Sequence, residues 1–316
     1  MRSNSRFTLQ SFLFLKKKKK RISVAIGAKL IGKLMEKLQL SFLFKIIGLG
    51  SASGLIYQNN TILAIGDNST YLYEYHIDSA KLDRHPLTEN AQENIPKKQK
   101  QDLEAITQFQ DSIYIFGSGS TENRTKMLHV DAKSKKVLAT NDVSDLYLAL
   151  QSFGEIKPKD FNLEGAIFNG ENWFLFNRGN GKTNKNVVFT ITGKNLTTDF
   201  RILSNAYKLP KIKGVRSSFT DAILVEDKIY FLATAENTES TYDDGEILGS
   251  IIGRIDIETM QLDFTKKIEG NYKLEGITLF QKTNDSIAFL VCEDKDNDVL
   301  ESSIYKLIIK NSLYNK

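Results

Sequence analysis

Cysteine, histidine, proline and long apolar runs are all scarce in this chain of 316 residues. Its one cysteine, Cys292, excludes an intramolecular disulfide and any multi-cysteine zinc centre. The three histidines, His76, His85 and His129, fall in no ligand spacing, which leaves zinc or copper without its usual donors. Only four prolines interrupt the chain, so extended segments can run unbroken. No apolar run reaches the ~20 residues that a membrane-spanning helix needs. There is no Gly-x-Ser-x-Gly elbow. The Gly117-Ser118-Gly119-Ser120 run has no Walker lysine after it, so it is not a phosphate-binding P-loop.

Charge is present but unevenly placed. Residues 1–34 carry ten positive charges, among them Lys16 to Lys20 and Arg21, and no acid. Against a total of +5, the remainder of the chain therefore stands at −5. A body of that sign lacks the basic face that displaces counterions from nucleic acid, which excludes a nucleic-acid-binding body. In the tail, the lysines follow the short apolar run Phe12 to Leu15 instead of preceding it, the reverse of a secretory signal. Residues 1–34 thus read as a basic, disordered extension or a mis-assigned start, with weak contact to an anionic membrane surface as the alternative. The domain then occupies residues 35–316, beginning at Met35. The lone cysteine and the missing signal are compatible with a cytoplasmic setting.

What the body does contain is repetition. Ser53-Gly54-Leu55-Ile56-Tyr57 leads through a turn to Thr61-Ile62-Leu63-Ala64-Ile65, and the same two-strand unit restarts at Glu104, Glu164, Ser218 and Glu275. The period is about 50–60 residues, slightly longer than common propeller blades. Further strands follow in each unit, as in Tyr71 to Tyr75, Lys126 to Val130, Val187 to Ile191 and Ile251 to Ile255. One four-stranded meander cannot cover both its apolar faces, whereas radial packing of several does. The pattern predicts an all-β, five-bladed β-propeller, with Ser41 to Leu49 completing the fifth blade. A sixth blade would have to fit in residues 132–160, which are too short for one.

In a propeller the first strand of each blade lines the central channel. The repeated starts Ser53, Glu104, Glu164, Ser218 (or Thr220) and Glu275 therefore form a ring at one mouth. Carboxylates about 5 Å apart repel by about 3 kcal/mol per ionised pair at an effective dielectric near 20. Such a ring either binds a cation, with hard oxygens favouring Ca²⁺, or holds some of its carboxyls protonated; the other reading is that each glutamate caps backbone amides between blades. The loops on the same face are polar: Asp67 to Ser69, Gly117 to Arg124, Asn177 to Lys182, Glu236 to Glu246 with Asp243 and Asp244, and Glu293 to Asp296. Arg124, Arg178 and Lys182 are the basic groups there that can meet an anionic small molecule.

Gly214-Val215-Arg216-Ser217-Ser218-Phe219, with Lys273-Leu274-Glu275-Gly276-Ile277 one blade later, resembles two motifs of the calcium-activated nucleotidases, the soluble apyrases. Those enzymes are five-bladed propellers with Ca²⁺ at the central channel. The resemblance implies a calcium shell of Ser53, Glu104, Glu164, Ser218 and Glu275, with Asp67 near an attacking water and Arg178 on a phosphate. Asn68 and Ala105 stand where that family has arginine and tryptophan. The leucine-glutamate-glycine strand starts are similar also to uncharacterised bacterial propellers related to esterase-like phytase domains. The first expectation is a Ca²⁺-centred hydrolase of a phosphate-bearing small molecule, with Asp67 as base and Arg178 as anion holder. The alternatives are a non-catalytic propeller that binds a ligand or protein around a structural Ca²⁺, and a calcium-dependent esterase or lactonase.

Overall fold

The computed structural model describes residues 38–310, apart from 194, 199, 200, 242, 244 and 296–298. The basic extension at 1–34, Met35, and the rim residues Asp244 and Asp296 lie outside the described residues.

Five four-stranded antiparallel sheets are arranged as a propeller. Blade 1 holds β2 (Ala52–Gln58), β3 (Thr61–Gly66), β4 (Tyr71–His76) and β5 (Lys81–Pro86). Blade 2 holds β6 (Leu103–Phe109), β7 (Ser112–Gly117), β8 (Lys126–Asp131) and β9 (Val137–Asp142). Blade 3 holds β10 (Leu163–Phe168), β11 (Asn172–Asn177), β12 (Asn186–Thr192) and β13 (Arg201–Tyr207). A two-strand hairpin, β14 (Lys211–Ile212) and β15 (Val215–Arg216), leads to blade 4. That blade holds β16 (Ser218–Val225), β17 (Lys228–Asn237), β18 (Glu246–Asp256) and β19 (Leu262–Lys267). Blade 5 combines β20 (Leu274–Lys282), β21 (Ser286–Glu293) and β22 (Glu301–Lys310) with β1 (Gln39–Ile47), the first strand of the described chain. The pairing of Gln39 with Ile308 and of Ile47 with Glu301 ties the two ends of the domain together.

The inner strands β2, β6, β10, β16 and β20 contact one another in a closed cycle. Apolar residues alternate across each meander, so every gap between neighbouring blades fills with its own core. Ile106, Ile115 and Leu128 pack between blades 1 and 2, and Phe116, Trp173 and Phe189 between blades 2 and 3. Phe219 and Phe231, with Phe176, fill the next gap; Phe289 and Leu307, with Leu232, fill the fourth; Ile46 and Ala64, with Leu290, close the ring. Burial of each leucine, isoleucine or phenylalanine among these contributes about 1.5–3 kcal/mol.

Residues 132–160 hold no sixth blade, but they are not plain loop. They contain β9 and an 11-residue helix, α1 (Ser144–Gly154), which packs on β12 and β13. Leu146, Tyr147 and Leu150 give it a single buried face. Asp142 accepts the amide of Ser144 at its start, and Glu155 ends it in the left-handed region at φ 49°. One short helix among many strands is too small a periodic signal to stand out in sequence. Among the described residues, no helix is long and apolar enough to cross a membrane.

Every inner strand breaks register at its start. Pairing skips one residue after Ala52, Leu103, Leu163 and Phe219, and after Leu274 it resumes at Ile277 opposite Val291, which leaves Ser53, Glu104, Glu164, Thr220 and Glu275 as the first residues of each bulge. In two blades that residue bonds the next blade: Ser53 Oγ donates to the Leu103 carbonyl at 2.6 Å and Thr220 Oγ1 to the Leu274 carbonyl at 2.7 Å. The other three bulges present glutamates to the channel.

Ring closure by β1 makes a specific demand. A chain beginning at Gly48 lacks β1, leaves the edge of β22 unpaired and removes Ile46 from the core; its melting temperature should fall by at least about 10 °C, with aggregation on size-exclusion chromatography. A chain beginning at Met35 keeps all of β1 and should melt as the full-length protein does.

Candidate functional site at the channel mouth

Three positions per blade build the site. One is the bulge. The second lies two residues earlier: Ser51, Asp102, Asn162, Ser218 and Lys273. The third follows the second-strand residue that pairs just before the bulge: Asp67, Ser118, Arg178, Thr234 and Asp294. A repeated backbone bond fixes the third position against the second. Asp67 N–H donates to Ser51 O at 3.2 Å, Ser118 to Asp102 at 2.9 Å, Arg178 to Asn162 at 2.8 Å and Asp294 to Lys273 at 3.0 Å. Blade 4 has only hydroxyls at its three positions, and its longer β17 instead sends Glu236 to the mouth.

Glu236 and the side chains at these positions in blades 1, 2, 3 and 5, other than Ser53 and Ser118, line a cavity of about 520 Å³. Its wall includes the carboxylates Asp67, Asp102, Glu104, Glu164, Glu236, Asp243, Glu275 and Asp294, and the basic groups Lys97, Lys100, Arg124, Arg178 and Lys273. Among the described residues, no aromatic side chain lines it.

Most of these charges are paired. Arg178 reaches Glu164 at 3.1 Å, Glu236 at 2.6 Å and Glu275 at 3.7 Å. Lys273 bridges Glu275 at 3.2 Å and Asp294 at 2.9 Å. Arg124 holds Asp102 at 2.6 Å, and Lys100 joins Asp102 at 2.7 Å to Asp67. Burial pushes the Glu164 carboxyl up more than Arg178 brings it down, and it raises Glu275 well above the ordinary range despite Lys273. Asp102 is also pushed up by burial, but Lys100 and Arg124 outweigh this and hold it below its usual value.

Glu104 differs from the rest. It is buried, 9% exposed, and lines the cavity, yet among the described residues it has no hydrogen-bond or ion-pair partner. Burial, followed by the neighbouring Asp102, Glu164, Asp67 and Glu275, raises its carboxyl well above the ordinary value. One oxygen each of Asp67, Asp102 and Glu104 lies within 4.8 Å of the others. Asp67 Oδ1 is a buried atom without a hydrogen-bond donor, and burial raises this carboxyl despite Lys100. Repulsion among buried acids is tolerable only with a proton or a cation between them.

The structure brings Glu104, Glu164 and Glu275 to one cavity and sets Asp67 and Arg178 on its wall. It does not place the two serines as cavity-facing oxygens. Ser53 Oγ is committed to the Leu103 carbonyl, and Ser218 Oγ lies 3.3 Å from the Thr234 carbonyl, with neither residue on the cavity wall. Ser218 also belongs to the position two residues before the bulge; Thr220 is the true equivalent of the glutamates. Arg178, expected above a cation facing an anion, lies instead among three carboxylates, 5% exposed. Sequence reading missed Asp102, Lys100, Lys273 and Asp294 as site residues. Asp102 and Lys273 sit at a constant offset of two from the repeated glutamates, which is the signal that finds them. Lys100, in the linker between blades 1 and 2, carries no repeat signal.

Residues 48–309 match the model of the "Family of unknown function (DUF6929)", and the chain belongs to that family. No curated protein matches it in sequence. In structure it is similar to the major allergen Mala s 1 of Malassezia sympodialis, at 9% identity over 86% of this chain and 97% of that one, with a TM-score of 0.56. Weaker likenesses include regucalcin, a calcium-binding protein of Agrobacterium tumefaciens (8% identity, 85% and 94% of the two chains, TM-score 0.41). Another is luciferin-regenerating enzyme (8% identity, 86% and 95%, TM-score 0.43). Likeness at this level bears on the fold alone.

The pairing of Arg178 can be tested by its removal. Arg178→Met leaves Glu164, Glu236 and Glu275 without their shared cation and should cost about 3–5 kcal/mol at neutral pH. Glu164 and Glu275 are already raised in the folded state and would rise further. Stability tied to raised carboxyls is present below the unfolded value near 4.3 and is lost as pH climbs through the folded one. Urea unfolding at pH 4.5 and 7.5 should therefore show a small deficit in acid that widens toward neutrality.

Proposed function

We propose that the protein is a divalent-cation-dependent hydrolase of a small polar substrate, with Ca²⁺ held at the channel mouth by Asp67, Asp102 and Glu104. The observation that carries this reading is Glu104: a buried carboxyl on the cavity wall with no hydrogen-bond or ion-pair partner among the described residues. Asp67 Oδ1 supplies a second unpartnered oxygen. An all-oxygen donor set without histidine or cysteine suits a hard ion such as Ca²⁺. The calcium-activated nucleotidases, to which the strand starts bear a resemblance, point the same way, although here the ring glutamates Glu164 and Glu275 already carry Arg178 and Lys273.

A bound divalent ion supplies Lewis acidity for a phosphoryl or acyl oxygen and lowers the pKa of water. The chain's own residues supply the rest. Asp102 and Glu104 lie deeper and contribute the charge that retains the ion. Asp67, with its side chain 21% exposed, meets incoming substrate and is placed to accept a proton from water. Arg178 orders the ring by fixing Glu164, Glu236 and Glu275. Carboxylates outnumber basic groups on the wall, so an uncharged ester or lactone enters more readily than a phosphate ester.

A second reading, binding without turnover, is favoured by the extent to which Lys100, Arg124, Arg178 and Lys273 neutralise the acids internally. One experiment separates the two. Carboxylic esters, lactones, phosphate esters and nucleotides are assayed in 5 mM Ca²⁺, 5 mM Mg²⁺ or chelator, alongside melting curves. Calcium-dependent hydrolysis that falls at least about 100-fold in Glu104→Gln and in Asp67→Asn, with both variants still folded, is the expected result. A calcium-raised melting temperature with no turnover supports binding alone. If neither quantity responds to either ion, the cation reading fails.

A further inference from the structure

Lys100 is the basic group that touches two members of the acidic trio, through Asp67 and Asp102 at 2.7 Å. Its ammonium therefore sits where a cation shared by those carboxylates would have to lie. The residue is 7% exposed, and the linker carrying it is held in place. Gln99 and Lys100 amides bond the Pro96 carbonyl, Asn123 Nδ2 donates to the Lys100 carbonyl at 3.0 Å, and Arg124 donates to the Lys97 carbonyl at 2.9 Å. The lysine stem is flexible, while Arg124 donates to the other oxygen of Asp102 at 2.6 Å. Glu104 stands beside this pair, buried and without a partner among the described residues, so the trio's negative charge is only partly met by Lys100.

Resting on the cation reading above, we infer that Lys100 is a tethered internal cation that competes with the divalent ion and sets how tightly the site holds it. Entry of the ion requires the ammonium to withdraw from between Asp67 and Asp102, because two cations cannot share that space without strong repulsion. Monovalent ions gain nothing by displacing an equal charge that is already tethered, whereas a divalent ion adds one positive charge to an under-neutralised cluster. Lys100 is thus a specificity-determining residue that keeps the site closed to Na⁺ and K⁺ and lowers its affinity for Ca²⁺.

The test compares the full chain with Lys100→Met by calorimetric Ca²⁺ titration and by melting curves in chelator, in Ca²⁺ and in NaCl of equal ionic strength. Lys100→Met should bind Ca²⁺ at least about tenfold more tightly than the parent. It should melt lower in chelator and gain at least about twice the parent's thermal shift on adding Ca²⁺, with no gain in NaCl. If the variant is insoluble in chelator, soluble yield on refolding in Ca²⁺ replaces the melting curve, and recovery by Ca²⁺ but not NaCl supports the same conclusion. Equal affinity in both chains overturns the role of Lys100 and leaves the cation reading standing. No binding by either chain, or insolubility of the variant in every medium, overturns the inference, and silence of the parent chain removes the cation reading with it.

Discussion

A single backbone irregularity, the β-bulge at the head of each inner strand, organises everything at the channel mouth. Regular pairing would alternate side chains strictly between the two faces of a blade, both of which pack against neighbouring blades. The extra residue escapes that alternation and is delivered to the axis. Five repeats of this device put Ser53, Glu104, Glu164, Thr220 and Glu275 on one circle. Two of the five are hydroxyl residues that reach across to the next blade, and three are glutamates that crowd a buried space. Stitching and charge therefore come from the same structural position, divided among the blades by residue type.

Crowding of that kind has to be compensated, and the compensation is local to particular blades. Arg178 and Lys273 sit at repeat positions of blades 3 and 5 and answer Glu164, Glu236, Glu275 and Asp294. Between blades 1 and 2 the answer comes from loops, in Lys100 and Arg124, and it stops short of Glu104. The ring is consequently lopsided: one half is a closed ion-pair network, while the other retains carboxylate oxygens without partners among the described residues. Chemistry is expected where the compensation is incomplete, because fully satisfied networks resist rearrangement.

The blades, their order and the closure of blade 5 by the strand near Ser41 were legible in the chain, because period-two apolar runs and short turns recur on a fixed spacing. So was the convergence of residues 104, 164 and 275, which follows from the repeat alone. Other features were not. The bulge in blade 4 falls one residue deeper in a longer strand, so Ser218 and Thr220 were indistinguishable by spacing. The roles of Arg178 and Lys100 depended on which acids lie across the axis, and such neighbours are distant in sequence. Arg178 lies 58 residues from the glutamate it binds most closely. A basic residue near a polar loop reads as an anion holder until the opposite wall is known.

The strand pairing that seals the ring also imposes an order of events on the ribosome. Gln39 is among the first domain residues to emerge, yet its partner Ile308 is among the last. At roughly 5–20 residues per second, the leading strand must wait on the order of ten to fifty seconds for its mate. Throughout that interval Phe42, Leu43 and Ile47, still partly exposed in the finished domain, are available to strands of other nascent chains. Biogenesis of this domain is accordingly governed by how well its earliest segment is shielded until the terminal one arrives.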